Sequence, residues 1–339
     1  MAYNSSHTGA QIDSAVGAVI EKESTWDSKQ DGLKGKKGQF VGFTADNVPG
    51  AVDAPSGGVN PNLLDNWYFG NPVNQRGKTE YTSNGYTIYR WKFNNNNGDL
   101  VIDDTGIMFI GKQNYAEFEQ RYEFPKDISG KQITISILAD SFSGEGDFYL
   151  VIQNQTNYRT FLLSAGLNSF TLNFFDESSV FRYFIQSQNV NETNPPKMHL
   201  LAAKLELGST QTLAHKEGDK WVLNEIPDFG EQLRRCQRYC RVIGGTNNQP
   251  FCSAVRREAT KLEGFIPIDN SFRTAPSISV NGYFSVIPDF HSVKFTSGDT
   301  LFPQGVTLFF ERNDGGTFDK DAYLIYAGAD TRIILSADL

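Results

Sequence analysis

The chain of 339 residues is expected to be mainly β, with a short N-terminal helix and stalk, then a jelly-roll β-sandwich, then a C-terminal β-sandwich. Three observations carry that expectation. Aromatic residues are abundant (26 Phe and 14 Tyr) while Met is scarce (3), a usage that favours pleated, half-buried surfaces. Apolar and polar residues alternate at period two, as in Lys131–Ala139, where Ile133, Ile135 and Ile137 face one way and Thr134 and Ser136 the other. Turns rich in Asn, Gly and Ser separate the apolar runs.

Residues 1–58 form the first region. Thr8 and Gln11 read as a capping box. The helix that follows carries Ile12, Val16, Val19, Glu23 and Trp26 at spacings of 4, 3, 4 and 3, a seam of two heptads. So short a helix is marginal in isolation, so it packs on its own chain or self-associates. The polar, Gly-containing stretch 29–37 offers little to pack on and favours a short parallel bundle. Glu23 in the seam, with Gly9 and Gly17, counts against it. Gly38–Asn47 reads as one strand that needs a partner, a second copy of itself being one candidate. Residues 49–61 read as a Pro/Gly/Ala-rich linker.

Residues 59–208 form the first β domain. Its expected strands are Tyr86–Phe93, Asp99–Ile110, Ala116–Glu123, Gln132–Ala139, Asp147–Gln153, Thr160–Leu163, Asn168–Phe175, Phe181–Gln186 and His199–Leu207, a count that suits a two-sheet jelly roll. Residues 209–237 connect, and they contain a short helix with Asp228 at the N-cap, Glu231 three residues on, and Phe229, Leu233 and Cys236 on one face. Residues 238–339 carry nine further strand patterns and the turn signal Asn313-Asp-Gly-Gly316, which predict a second β-sandwich.

The net charge of −8 offers no basic field, so nucleic acid is a poor partner. No run of 18 apolar residues predicts a membrane span, and the first residues lack the basic and apolar regions of a secretion signal. Cys236, Cys240 and Cys252 fit no zinc or redox spacing and read as buried thiols of a protein made in a reducing cytosol.

The segment NLLDNWYFGNPVNQRG…GYTIYRWKF (Asn62–Phe93), the strand KLELG (Lys204–Gly208) and the element EQLRRCQRYC (Glu231–Cys240) resemble fibre and receptor-binding proteins of tailed phages and prophages, chiefly those of Gram-positive gut hosts. HTGAQID (His7–Asp13) and KGKKGQFVGF (Lys34–Phe43) resemble the attachment region of such fibres, including head fibres. The resemblance spans most of the chain, though the C-terminal part matches mainly in layout. It implies a homotrimer on the virion, made in the host cytoplasm and held to a capsid or tail protein by its N-terminal region. The trimer contacts would be Ile12, Val16, Val19 and Trp26. It implies a host cell-surface polysaccharide as receptor, and it carries no catalytic residue onto this chain.

Several constellations bear on binding. Trp67-Tyr68-Phe69 and the set Tyr86, Tyr89 and Trp91 suit either sugar stacking or core packing, the second being commoner. Amide-rich loops are the stronger glycan candidates, because an amide gives a hydroxyl both a donor and an acceptor. They supply Asn95 and Asn96, then Asn157, Tyr158 and Arg159, then Gln188 and Asn191. Asp65 and Glu206 would share a structural Ca²⁺ if the first and last strands of the domain adjoin. Arg234, Arg235, Arg238 and Arg241 either bind phosphate or pair with acids such as Glu225 and Glu231 around the helix end. The four His residues are scattered, His199 in a strand pattern, and no HExxH, GxSxG or P-loop occurs. A glycosidase needs only two spaced carboxylates, but no β-helix repeat is present, so a binding protein is expected rather than an enzyme.

Overall fold

The computed structural model describes residues 39–43, 49–53, 59–74, 76–94, 98–154, 158–173, 181–244, 249–268, 272–301, 304–328 and 330–338. The chain divides into two compact units, Met1–Val59 and Asn60–Leu339. In the first, β1 (Gln39–Phe43) pairs antiparallel with β2 (Pro49–Asp53), Gly42 standing opposite Gly50. The strand expected near Gly38–Asn47 thus finds its partner in its own chain, inside the stretch whose composition reads as linker. Pro49 is tolerated there because it opens the strand. The expected helix with Ile12, Val16, Val19 and Trp26 lies outside the described residues.

The second unit begins with β3 (Glu80–Tyr81), β4 (Gly85–Tyr86), β5 (Lys92–Phe93), β6 (Gly98–Ile102), β7 (Ile107–Gly111) and β8 (Glu117–Tyr122). One helical turn, α1 (Pro125–Ile128), leads to β9 (Gln132–Ser143), β10 (Asp147–Gln153), β11 (Tyr158–Leu162), β12 (Gly166–Asn173), β13 (Phe181–Gln188) and β14 (Lys197–Leu207). They form two six-stranded sheets of order β12-β9-β14-β7-β6-β3 and β11-β10-β13-β8-β5-β4. From β8 to β14 the chain passes repeatedly between the sheets, as in a jelly-roll-like sandwich.

Alternation fixes which side chains fill the space between the sheets. Ile133, Ile135 and Ile137 of β9 face Phe148, Leu150 and Ile152 of β10, Phe118 of β8 and Phe181, Tyr183 and Ile185 of β13, all buried in one cluster. Trp91 sits at its centre, stacked on Phe118 (4.8 Å between centroids) and edge-on to Phe69 (5.3 Å) and Tyr183 (5.8 Å). Burying each such side chain contributes about 1.5–3 kcal/mol. Trp67 and Phe69 are also buried in this cluster, so these two belong to the core.

Two expected strands are broken. Asp99–Ile110 is a hairpin of β6 and β7, turned at Asp103, whose carboxylate accepts from the N–H groups of Thr105 (2.8 Å) and Gly106 (2.9 Å). Tyr86–Phe93 is interrupted between β4 and β5 by a turn in which Arg90 has φ +71°. Ile88, Tyr89, Arg90 and Trp91 are consequently all buried rather than alternating. Tertiary partners impose this: Asn66 Nδ2 donates to the Tyr89 carbonyl (2.9 Å), and Arg90 Nε donates to Asp65 (3.2 Å).

A hairpin of β15 (Ala214–Glu217) and β16 (Lys220–Leu223) follows, within the stretch expected to be connection. It lies against part of the first sheet, with Trp221 beside Gly166 of β12. Lys204 and Glu206 are fully buried, Glu206 accepting from the N–H (2.7 Å) and hydroxyl (2.5 Å) of Thr212.

The helix α2 (Phe229–Gln237) starts where expected, Asp228 accepting from the Glu231 N–H at 2.8 Å. Cys236 of its expected apolar face is buried, but Phe229 is exposed. Gln232 is buried instead and accepts the N–H of Asn66 (2.9 Å).

The remaining strands are β17 (Cys240–Gly244), β18 (Gln249–Glu258), β19 (Lys261–Pro267), β20 (Ser277–Asn281), β21 (Phe284–Ile287), β22 (Ser292–Leu301), β23 (Gly305–Arg312), β24 (Ala322–Ala327) and β25 (Arg332–Ser336). In place of the expected C-terminal sandwich, six of them close into a barrel of order β18-β19-β23-β22-β21-β24. Beside it lies a three-stranded sheet, β17-β25-β20. Bulges explain the closure. Register shifts at Pro250/Cys252 and Arg256/Glu258 in β18 and at Phe295/Ser297 in β22 add local twist, and every barrel strand then finds two neighbours. Phe284, Val286, Val306, Leu308, Phe310 and Ile325 fill the interior.

Candidate functional site

The two outer faces of the sandwich differ. On the first, Thr134, Ser136, Lys204 and Glu206 of the middle strands are buried, while Ser169 and Thr171 of β12 are exposed. The outer face of the second carries cross-strand rows of polar and aromatic side chains. Register places Tyr158, Gln153, Arg182 and Arg121 in one row. Thr160, Val151, Phe184, Glu119, Lys92 and Tyr86 form the next, and Leu162, Tyr149, Gln186 and Glu117 a third. With strands ~4.8 Å apart, the middle row runs roughly 24 Å from β11 to β4 and the other two roughly 14 Å from β11 to β8.

Charge-assisted hydrogen bonds hold this array in place. Arg182 Nη2 donates to Glu117 (2.8 Å), its Nε to Glu119 (2.5 Å) and its Nη1 to Gln153 (2.7 Å). Lys92 lies 3.0 Å and Arg121 3.3 Å from the other oxygen of Glu119. Gln186 donates to Glu117 (3.1 Å), and Gln188 donates to Gln186 (2.9 Å). Glu119 is fully buried under these neighbours. Burial alone would raise its pKa, but Arg182 and Lys92 outweigh it and hold the carboxyl below its ordinary value. The guanidinium of Arg182 also lies over the Phe184 ring at 4.6 Å.

The residues nominated from sequence are distributed unevenly over this surface. Tyr158 belongs to the first row and is 68% exposed. Arg159 stands opposite Ile152, so strand alternation turns it to the other side of the sheet. Gln188 is opposite Asp147, six positions along β10 from Gln153, so roughly 20 Å separates it from Tyr158 at ~3.4 Å per residue. Asn191 is engaged in its own loop, donating to Glu145 (2.8 Å) and accepting from the Thr193 N–H (3.0 Å). Asn95, Asn96 and Asn157 lie outside the described residues. The residues that composition missed are Arg182, Glu117 and Tyr149, while Gln153 and Gln186 open two of the amide-rich loops. Their signal was the period-two alternation of EFEQRY, DFYLVIQ and FRYFIQSQ, whose outward-facing members are polar or aromatic apart from Val151.

The other nominated groups have partners of their own. Asp65 pairs with Arg235 (2.7 Å) and Arg90 (3.2 Å), while the buried Lys204 ammonium stands 4.0 Å from Glu206 and 3.6 Å from Glu225. Among the described residues no three His, Cys, Asp or Glu side chains converge as metal ligands do. His199 of β14 links strand β9 to the β6–β7 turn, 2.7 Å from Asp140 and 3.1 Å from Asp103.

A cleft of about 500 Å³ lies where α2 meets the sandwich, with Asp65, Arg90, Tyr122, Glu123, Arg235 and Arg238 on its walls. Its charges neutralise one another: Arg238 pairs with Glu123 (3.0 Å), the Tyr239 hydroxyl donates to Glu123 (2.6 Å), and Arg90 stacks on the Tyr239 ring at 3.6 Å. Burial would raise the Glu123 pKa, but the bonds from Arg238 and Tyr239 hold it below its ordinary value. This is an architectural seam, and the basic cluster around the helix is largely taken up by it.

No protein-family profile matches the chain, and no curated protein matches it in sequence. Among solved structures it is similar to the N-terminal CBM22-1-CBM22-2 tandem domain from Paenibacillus barcinonensis Xyn10C, at 8% identity. That match covers 84% of this chain and 100% of the other with a TM-score of 0.29, too loose a superposition to establish a common fold.

Proposed function

We propose that the chain is a non-catalytic glycan-binding protein whose site is the outer face of the β11-β10-β13-β8-β5-β4 sheet. One observation carries the reading: an ordered field of amides and guanidiniums, with an exposed tyrosine at its edge, laid out by strand register on one face of a sheet. Amide and guanidinium groups meet sugar hydroxyls as donors and acceptors, and the Tyr158 ring offers a stacking face. Such shallow sites are individually weak. Multiple copies in one particle strengthen attachment through effective concentration. The resemblance to phage fibres supports a virion fibre, trimeric through Ile12, Val16, Val19 and Trp26 and anchored by its N-terminal region to a capsid or tail protein, with host cell-surface polysaccharide as receptor. A structural Ca²⁺ at Asp65 and Glu206 would first have to displace the cations that now neutralise them. A hydrolase is disfavoured at this face, because Glu119 is held ionised and so is a poor general acid.

The test is a glycan array probed with the whole chain beside Tyr158→Ala and Gln186→Ala. Retained neutral-glycan binding in the wild type, lost in both variants while their thermal unfolding is unchanged, supports the reading. Wild-type binding that neither variant weakens places the receptor site elsewhere. Light scattering of the intact chain tests the trimer, and a monomer at micromolar concentration refutes it.

A further inference from the structure

At the far edge of the same sheet a second cleft, of about 410 Å³, opens between the sandwich and the three-stranded sheet. Arg76, Lys78 and Arg332 line it, with Tyr86 and Asn281, against one acid, Asp330. Arg76 is partly countered by Asp338 at 3.5 Å, and its Nε is buried without a hydrogen-bond partner among the described residues. Neither Lys78 nor Arg332 has an ion-pair partner among the described residues. Arg332 is held against the turn before β3, its Nη1 donating to the Arg76 carbonyl. Gly77 permits this approach: it has φ +72°, and a Cβ there would lie 2.7 Å from Arg332 Nη1. The cleft therefore concentrates cations on a chain whose net charge is −8. It also joins the polar face, since Arg76 and Lys92 both lie 5.7 Å from the centre of the Tyr86 ring, the last member of the Glu119 row.

We infer that this cleft is an anion subsite that takes the carboxylate or phosphate substituent of an acidic saccharide lying on the face. A guanidinium presents a planar pair of N–H groups to either anion, and Lys78 adds an adjustable charge. That the anion belongs to a saccharide rests on the glycan reading above. That the cleft binds anions does not.

The experiment titrates the whole chain by calorimetry at low salt with glucuronate and with glycerol 3-phosphate, glucose and glycerol serving as uncharged counterparts. Either anion should bind where its neutral counterpart does not, and the tighter of the two identifies the substituent. Arg332→Gln should weaken it by about tenfold or more, with Arg332→Lys recovering part of the loss. Lys78 is exposed, so Lys78→Gln folds whatever its ligand role and should weaken binding as well. Anions that bind no better than glucose and glycerol overturn the proposal, as does binding that both Lys78→Gln and Arg332→Gln leave intact. Tyr158→Ala should spare this titration while reducing neutral-glycan capture, so failure of one site is distinguishable from failure of the other.

Discussion

Replacing Glu119 by Gln tests whether the charged array on the open face is a structural clamp. The wild-type carboxylate is fully buried and faces Arg182, Lys92 and Arg121. The amide keeps the shape and removes the charge, so three cations are left crowded about a neutral group. Removing one partner from a buried ionic cluster costs about 3–5 kcal/mol. Arg182 keeps Glu117 and Gln153, which points to the lower end. For a folded unit of this size ~1 kcal/mol moves the midpoint by about 2 °C, so Tm should fall by roughly 6 °C. The pH profile supplies a second readout. The folded-state pKa is depressed from 4.5, so the contribution is complete above that value and is lost as pH falls through the lower, folded one. In calorimetric scans from pH 7 downward the gap between the two proteins should therefore be constant above 4.5 and narrow as the pH falls below it. Identical midpoints at pH 7, or a constant gap across the range, would refute the clamp.

Three further outcomes follow from the geometry. Asn66→Ala removes buried bonds to the Val73 N–H and to the carbonyls of Val73 and Tyr89, and should cost about 3–5 kcal/mol in urea unfolding. Tyr158→Ala should leave the urea midpoint within about 0.5 kcal/mol of wild type, because its ring is mostly in solvent. Burial pushes the Cys240 thiol up to about 11 and Cys252 up to about 12, and raises Cys236 too, so a disulfide-exchange reagent at pH 8 should modify none of them until the chain unfolds.

Local pattern announced much of this fold. The alternation of Ile133, Ile135 and Ile137 fixes a buried face of β9, and the Asp228 cap fixes the start of α2. The break in Tyr86–Phe93 was hidden because a turn stabilised by distant Asn66 and Asp65 leaves an apolar run looking like a strand, whereas that in Asp99–Ile110 is local, at Asp103-Asp-Thr-Gly106, where the Asp103 carboxylate closes the turn. The β15–β16 hairpin escaped notice because His215, Lys216 and Glu217 carry no apolar alternation. Closure of the barrel depends on bulges, which shift register without changing composition. The same reason governs the candidate site. Asn-rich loops stand out by composition, whereas Glu117, Gln153 and Arg182 become neighbours only after three strands far apart in the chain are laid side by side.

The union of helix α2 with the sandwich decides where this polypeptide can be cut. A fragment ending at Gly208 would expose the carboxylate of Asp65 without Arg235, leave the Asn66 amide hydrogen without Gln232, and uncover the side of Tyr89 that meets Cys236 and Cys240. Neither half is a self-sufficient building block. Shuttling the sandwich alone into a chimera should yield an insoluble product, and a workable graft must carry residues 60–339 as a piece.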